Sequence, residues 1–496
     1  MSVDTPAWVR DAIFYQIFPD RFASSVRVQK PGVLEPWDAP PTNYGFKGGD
    51  LRGVAERLDY LQDLGINAIY LTPVFSSASN HRYHTYDYFE VDPLLGGTDA
   101  LRELLDAAHG RGMRVVLDGV FNHSGRGFWP FHHILETGGG SPYRSWFYLD
   151  DARLDSGRPL WAYAPPGTPA SELGYDAWWG LPALPKLNTD HHEVREYIFT
   201  VAEYWLKFGI DGWRLDVPEE IKVEGFWEEF RGRCRAIRPD AYLVGEIWRI
   251  APEWLRGDRF DALMNYPLAE AILGYAGGSH LDWNVVNSIP QYRDWLRPLD
   301  GPGFAARLME LTGVYDPDVV AVQLNLLGSH DAPRVRTVLG DDLARVRLAT
   351  LIQATLPGAP CIYYGDEVGL GGGHDPDCRR AFPWDEGRWD RALRDSVQAM
   401  LRLRADEPAL RDAPLRVVGA DGAALAFERG AGASRLVVAA NPGDSTVRLG
   451  VRIDDGGTSL EPIALPGFDG VAGAPIEHGG ATLELASGSG AVLRVV

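Results

Sequence analysis

The sequence predicts an α/β protein built on a (β/α)8 TIM barrel, with a loop-rich insertion after the third strand and a C-terminal antiparallel β-sandwich. Three observations carry this. Short apolar runs alternate with helical patterns at the spacing of parallel strands joined by crossover helices. Counted along the chain these runs number eight, the number that closes such a barrel. Beyond about Leu415 the pattern changes to short strands separated by Gly-rich turns, the signature of a sandwich.

Taken in order, the first run is "DAIFYQIF", followed by the helical "VAERLDYLQDLG"; the second is "INAIYLTPVF", followed by "DALRELLDAAHGRG"; the third is "MRVVLDGVF". Between about Asn122 and Pro182 Gly, Pro, Trp and Tyr are frequent and helical periodicity is poor. Residues 122–182 therefore read as an inserted unit between barrel segments 1–121 and 183–410. The rhythm resumes with helix "VREYIFTVAEYWLKFG" and the fourth run "GWRLDV". After the helical "FWEEFRGRCRAI" come "YLVGEIW", "FDALMNY", "AVQLNLLGSHD" and "APCIYYGDE". Residues 411–496 supply "LRVVG", "ALAFERG", "RLVVAANP", "TVRLGVRI" and "GAVLRVV". That last unit has Phe427 and Phe468 but no Trp, so an aromatic sugar platform is not expected there.

Composition narrows the function. With 496 residues, 45% of them hydrophobic, the chain can bury a large core. Its 48 basic and 68 acidic residues leave a formal charge of -20, which repels nucleic acid phosphates and anionic lipid surfaces. Three distant cysteines, Cys234, Cys361 and Cys378, suggest neither a disulfide framework nor a metal-ligand pair. The opening residues have no apolar signal core, and no window approaches the ~20 apolar residues of a membrane span. A cytoplasmic protein with neutral or small partners is expected.

Charged residues collect at four strand ends, where barrels of this kind hold their active sites. The third run ends with Asp118, Asn122 and His123, the fourth with Arg214 and Asp216, the fifth with Glu246 before Trp248, and the seventh with His330 and Asp331. Arg214 and Asp216 are two apart, so they share the inward face while Trp213, Leu215 and Val217 point outward. A fixed guanidinium beside Asp216 favours its ionised form, as a nucleophile requires, whereas apolar Ile247 and Trp248 favour a proton on Glu246. One ionised and one protonated carboxyl on adjacent strands, ~5 Å apart, suit retaining glycoside hydrolysis. Taken singly, each of these carboxylates reads as a cap or ion pair. Three carboxylates, two histidines and an arginine on neighbouring strand ends read as a site. Asp211 precedes the fourth strand and reads as a turn residue, and Pro218, lacking an N–H, is expected to end the ladder.

The strings "DGVFNH", "GWRLD", "GEIW" and "LLGSHDAPR", in this order and spacing, resemble the conserved regions of the α-amylase family of retaining α-glucan hydrolases and transferases. The likeness also runs through "GGDLRGVAERLDYLQDLGINAIYLTPVF" and covers roughly residues 8 to 410. It implies Asp216 as nucleophile, Glu246 as acid/base and Asp331 as the carboxylate that stabilises the transition state. It further implies that Arg214 orients the nucleophile, that His123 and His330 bond sugar hydroxyls and that Tyr86 of "HTYDY" stacks under the sugar. Asp118 and Trp248 join the substrate-binding set. Asp375 and Arg379 of "DPDCRR" match the pair that holds the next sugar, and Glu220 matches a position that tunes acceptor use.

Within the family, "LPKLNT" at 184 to 189 is similar to the signature of the neopullulanase, cyclomaltodextrinase, maltogenic amylase and maltodextrin glucosidase branch. Most of that branch carries an N-terminal β-sandwich, whereas the barrel begins here near Ala12, so a monomer, or a dimer not built through such a domain, is expected. Ala332 stands where relatives usually have threonine. "RFASSVRVQKPG" has no carboxylate after Asp20, so no metal or other cofactor is expected, although Asn122 matches a calcium ligand of the true α-amylases. The expected activity is hydrolysis of α-1,4 bonds in maltooligosaccharides, extending to cyclomaltodextrins and pullulan, with transglycosylation as a side reaction. The alternatives are an α-1,6-glucosidase or trehalose synthase-like isomerase, and a non-catalytic amylase-like protein. Trp161, Tyr163, Trp178 and Trp179 of the insertion are open to either sugar stacking or packing.

Overall fold

The structure is a computed structural model that describes residues 3–432, 434–454, 456–468 and 470–496. Its eight barrel strands are Phe14–Ile17, Ala68–Leu71, Arg114–Gly119, Gly212–Leu215, Tyr242–Gly245, Ala262–Leu263, Leu324–Leu326 and Ala359–Tyr363. All pair in parallel, in the order sixth, fifth, fourth, third, second, first, eighth, seventh. A parallel bridge from Met264 to Leu324 joins the two ends, so the sheet closes. These strands coincide with the eight runs expected.

Alternation along the strands sorts the core into two layers. Phe14, Ala68, Tyr70, Val116, Tyr242, Val244, Leu324 and Cys361 fill the barrel interior. Trp213, Leu215, Leu117, Ile69 and Leu243 face outward, in the layer that packs against the helices. The parity argument for the fourth strand therefore holds as far as Leu215. Its ladder stops two residues before Pro218: the Asp216 N–H donates to Gly119 O at 3.0 Å, and Val217 then turns left-handed with φ 36°. For a β-branched residue that conformation costs about 1–3 kcal/mol. The turn aims the Val217 N–H at Glu246 Oε2, 3.2 Å away.

Two features were not legible in the sequence. After the second strand, Phe75–Ser77 and Thr85–Val91 form an antiparallel hairpin with register shifts, and it carries side chains back over the barrel mouth. In the C-terminal region, Ser459–Pro462, Ala474–Pro475 and Gly480–Leu485 add strands to the five expected. A six-stranded sheet and the pair Val447–Arg452 with Gly480–Leu485 enclose Val418, Ala426, Val437, Leu449 and Leu483. Phe427 is buried in the core and offers no surface platform. Among the described residues no helix is long and apolar enough to cross a membrane.

Candidate active site

Arg214 stands at the centre of the barrel mouth. Fully buried, its Nη1 lies 2.8 Å from Asp118 Oδ1 and 3.0 Å from Asp216 Oδ1, and its Nη2 lies 2.8 Å from Glu246 Oε2. The strand register sets this up by placing Asp118 beside Arg214 and Gly245 beside Leu215. Asp118 is saturated, since Oδ2 also accepts from Tyr70 at 2.7 Å and Tyr83 at 2.8 Å. Glu246 has both oxygens engaged, Oε2 by the Val217 N–H and Oε1 by Trp248 Nε1 at 3.0 Å. Asp216 differs: its Oδ2 is buried with no hydrogen-bond partner among the described residues.

Charge in this cluster is unbalanced. One guanidinium serves three carboxylates, and burial penalises each of them. Burial raises Asp216 well above the usual carboxylate range; Arg214 pulls it down, but Glu246, Asp118 and Asp331 add to the rise. Arg214 alone does not offset burial at Asp216, because the guanidinium is divided three ways. Glu246 is also raised, by burial and then by Asp331, against Arg214, Trp248 and the Val217 N–H. These two carboxyls interact strongly enough that their proton equilibria belong to the cluster.

On the opposite side of the mouth Asp331 has partners on both oxygens. His330 Nε2 lies 2.9 Å from Asp331 Oδ2, and Arg379 Nη2 lies 3.2 Å from Asp331 Oδ1. Burial pushes Asp331 up, but His330, Arg379 and Arg214 outweigh it and hold the carboxyl below its usual range. Arg379 also pairs with Asp375 at 2.9 Å and donates to the His330 carbonyl at 2.8 Å, so the loop after the eighth strand is tied to the seventh. Burial pulls His123 down to about 3, which leaves it neutral, and its Nε2 has no partner among the described residues.

The structure brings together Asp118, His123, Arg214, Asp216, Glu246, Trp248, His330, Asp331, Asp375 and Arg379 at the barrel mouth. Tyr86 is not with them. Its ring packs over Gly125 and Gly127 of the insertion. Tyr83, three residues earlier, holds the place expected for it: the hydroxyl reaches Asp118 Oδ2 and lies 2.5 Å from His330 Nε2, with the two rings stacked at 5.4 Å. The likeness falls on "HTYDY", and the structure turns Tyr83 of the preceding "HRYH" toward the mouth instead. Glu220 lies on the loop above the fourth strand, partly exposed, with Lys186 of "LPKLNT" 3.5 Å away. Glu219 is drawn instead to Arg249 at 2.5 Å.

Other site residues went unread. Gln16 Nε2 lies 2.8 Å from His330 Nδ1 and orients the ring. A signal for it existed, since Gln16 is a polar residue two positions after inward-facing Phe14. Tyr70 likewise shares the inward face of Ala68. His81 packs edge-on against His84 and accepts from the Tyr83 N–H at 3.2 Å. In the insertion, Trp178 stacks on His123 at 5.1 Å and on Trp179 at 4.7 Å, and Trp179 is exposed.

Known proteins resemble this chain along most of its length. The family described as alpha amylase, catalytic domain, matches residues 16–413. A cyclomaltodextrinase of Geobacillus thermopakistaniensis (strain MAS1) is 41% identical over 460 residues, which cover 92% of this chain and 73% of that protein. Among solved structures, the native form of a debranching enzyme from Nostoc punctiforme is 46% identical with a TM-score of 0.88, and each chain is covered in full. A cyclic α-maltosyl-(1→6)-maltose hydrolase from Arthrobacter globiformis is 36% identical with a TM-score of 0.84, covering 99% of this chain and 100% of that one.

Proposed function

This chain belongs to the α-amylase family of glycoside hydrolases, and on that premise we propose that it cleaves α-1,4 bonds of maltooligosaccharides with net retention. The observation that carries the reading is the unequal pair on Arg214. Asp216 keeps a free oxygen, Oδ2, while both oxygens of Glu246 are engaged. Two carboxyls held by the two prongs of one guanidinium favour the roughly 5–5.5 Å separation of retaining sites over the roughly 6.5–9.5 Å of inverting ones.

In this reaction Asp216 Oδ2 attacks the anomeric carbon as Glu246 gives its proton to the leaving oxygen, which departs with the bonding electron pair. Glu246 then takes a proton from water, and that water's oxygen cleaves the glycosyl ester and frees Asp216. A sugar hydroxyl in place of water gives transglycosylation. Asp331, held ionised by His330 and Arg379, faces the positive charge that develops on the sugar ring. His123 and His330 bond hydroxyls, Tyr83 stacks under the reacting sugar, and Asp375 with Arg379 grips the next unit. Trp248, Glu220 and its neighbour Lys186 line the leaving side.

Cyclomaltodextrins are included because a cyclomaltodextrinase is among the relatives. A second reading, cleavage of α-1,6 bonds, is favoured by the debranching enzyme and the (1→6) hydrolase, whose whole chains this one covers. Pullulan separates the two, since it repeats α-1,6-linked maltotriose. Cutting its α-1,4 bonds releases panose, and cutting its α-1,6 bonds releases maltotriose. Chromatography of the products from maltotriose, a cyclomaltodextrin and pullulan, with NMR of the first anomer released, is expected to show panose and the α-anomer. Release of the β-anomer, or no cleavage of any of the three, would refute the proposal.

A further inference from the structure

A cavity of about 470 Å³ adjoins the cleft through a shared wall, the indole of Trp248. On one side Trp248 Nε1 donates to Glu246 Oε1 at 3.0 Å. On the other the ring borders the cavity and stacks on Tyr266 at 3.5 Å. Helix Tyr266–Gly277 starts under that ring, and one turn further on it places Glu270 in the cavity wall. Trp295, from helix Pro290–Trp295, lines the same space.

Glu270 is unusual among the carboxylates here. It is only 8% exposed, and its Oε1 has no hydrogen-bond partner among the described residues. Burial lifts its pKa to about 8 against the pull of Arg307, so at neutral pH it is an uncharged acid with an unused oxygen. Trp295 is 47% exposed, a large flat ring left open beside it. The other side chains around the cavity have their charge already answered. Arg249 pairs with Glu219 and Glu253 at 2.5 and 2.7 Å, Arg307 with Glu310 at 2.6 Å, and Asp294 with Arg293 at 2.9 Å. Arg297 is held by the carbonyls of Arg293, Asp294 and Leu296.

Such a space does not suit an ion. It suits a neutral polyhydroxylated ring, whose hydroxyls meet the Glu270 carboxyl and whose C–H face lies on Trp295. The volume falls within the roughly 300–1,000 Å³ of small-molecule sites. Position selects the ligand further, because Glu246 stands over the leaving oxygen and Trp248 carries the wall from that acid to the cavity. We propose that this cavity is a further glucosyl-binding site, which takes a sugar unit of the leaving portion of an α-glucan through Trp295 and Glu270. The site rests on the glucan-hydrolase reading above and extends it beyond the cleft.

The test compares kcat/KM on maltotriose and on a long maltodextrin for the unaltered full chain, Trp295→Ala and Glu270→Gln. Trp295 is half exposed and glutamine matches glutamate in shape, so both variants should fold, which thermal melts check. Maltotriose offers at most two units to the leaving side, against many from the long substrate, and its kcat/KM is expected to stay within about twofold. The long substrate is expected to lose roughly three- to tenfold in each variant, through KM, the range of one aromatic contact. Trp295→Phe should restore most of it. Equal losses on both substrates, or no loss on either, would overturn the site while leaving the hydrolase reading in place. Failure of the unaltered chain to cleave either substrate would remove both.

Discussion

Asp211 and Asp216 stand at opposite ends of one strand, Gly212–Leu215, and are handled in opposite ways. Asp211 is completely buried, with Arg114 and Arg238 on Oδ1 at 2.8 and 2.7 Å. His109 Nε2 and the Val115 N–H approach Oδ2, each at 2.8 Å. Burial alone would raise its pKa, but His109, Arg114, Val115 and Arg238 more than compensate, and it is held below its usual range. Asp261, before the sixth strand, repeats the device with Arg231, Arg235 and the Leu243 N–H. At the upper end Asp216 shares one guanidinium with two other carboxylates and keeps an oxygen free. Residue type does not separate Asp211 from Asp216; the count of donors does. Saturated Asp211 holds the strand's lower end, and Asp216 has bonding capacity left for a substrate.

Exchanging the two losses tests this most severely. Asp216→Asn is expected to lower kcat/KM by at least about 10⁴-fold. It should leave the melting temperature unchanged or higher, because it relieves crowding of like charges. Asp211→Asn should do the reverse. Activity per folded molecule stays within a few-fold, while stability falls by the lower end of about 3–5 kcal/mol, since Arg114 and Arg238 are 33% and 23% exposed. Its pH dependence has a definite sign. The Asp211 pKa is depressed on folding, so its stabilisation is present above the unfolded value of ~3.9 and is lost as pH falls through the folded value. Asp211→Asn should therefore unfold with a shallower acid dependence. The comparison breaks if Asp216→Asn melts lower than Asp211→Asn, or if Asp211→Asn loses more activity.

The next effect separates the two carboxyls inside the site. Glu246→Gln is expected to cost roughly 10²–10⁴-fold on maltooligosaccharides and far less on a glycosyl fluoride, whose leaving group needs no proton. A raised acid must hold its proton to work, so activity falls as pH rises through its pKa, and that basic limb should vanish in the variant. Asp216 and Glu246 titrate as a coupled pair, and because burial raises both carboxyls the acidic limb should lie above the ordinary carboxylate range. Rate profiles against pH measure both. A basic limb that persists in Glu246→Gln would assign the acid elsewhere.

Where backbone geometry is regular, the sequence was readable. Strict alternation placed Arg214 and Asp216 inside and Trp213 outside, and the same rule applied to Phe14 would have found Gln16. It failed where the backbone departs from a regular strand. Tyr86, taken from the likeness at "HTYDY", and Tyr83 lie on or beside a hairpin whose register slips between Phe75 and Ser77, and it is Tyr83 that reaches Asp118. Asp211 looked like a turn residue because its partners His109 and Arg114 lie 102 and 97 positions away and meet it only once the barrel has closed. The stack of His123 on Trp178 is non-local in the same way. Strand parity and motif order are local properties, whereas the balance of charge around a carboxylate is a tertiary one.

The smallest predicted effect tests whether saturation itself, rather than any single partner, protects Asp211. His109 supplies one of the four contacts and is 36% exposed, so His109→Ala lets water take its place at Oδ2 while Arg114, Arg238 and the Val115 N–H remain. The expected loss is about 0.5–1 kcal/mol, the scale of one partly solvated hydrogen bond, with kcat/KM unchanged. Denaturant titration at neutral pH resolves that difference from the Asp211→Asn variant. A loss as large as that of Asp211→Asn would mean that His109 alone secures the carboxylate, and the lower end of the strand would then rest on one ion pair instead of a surplus of donors.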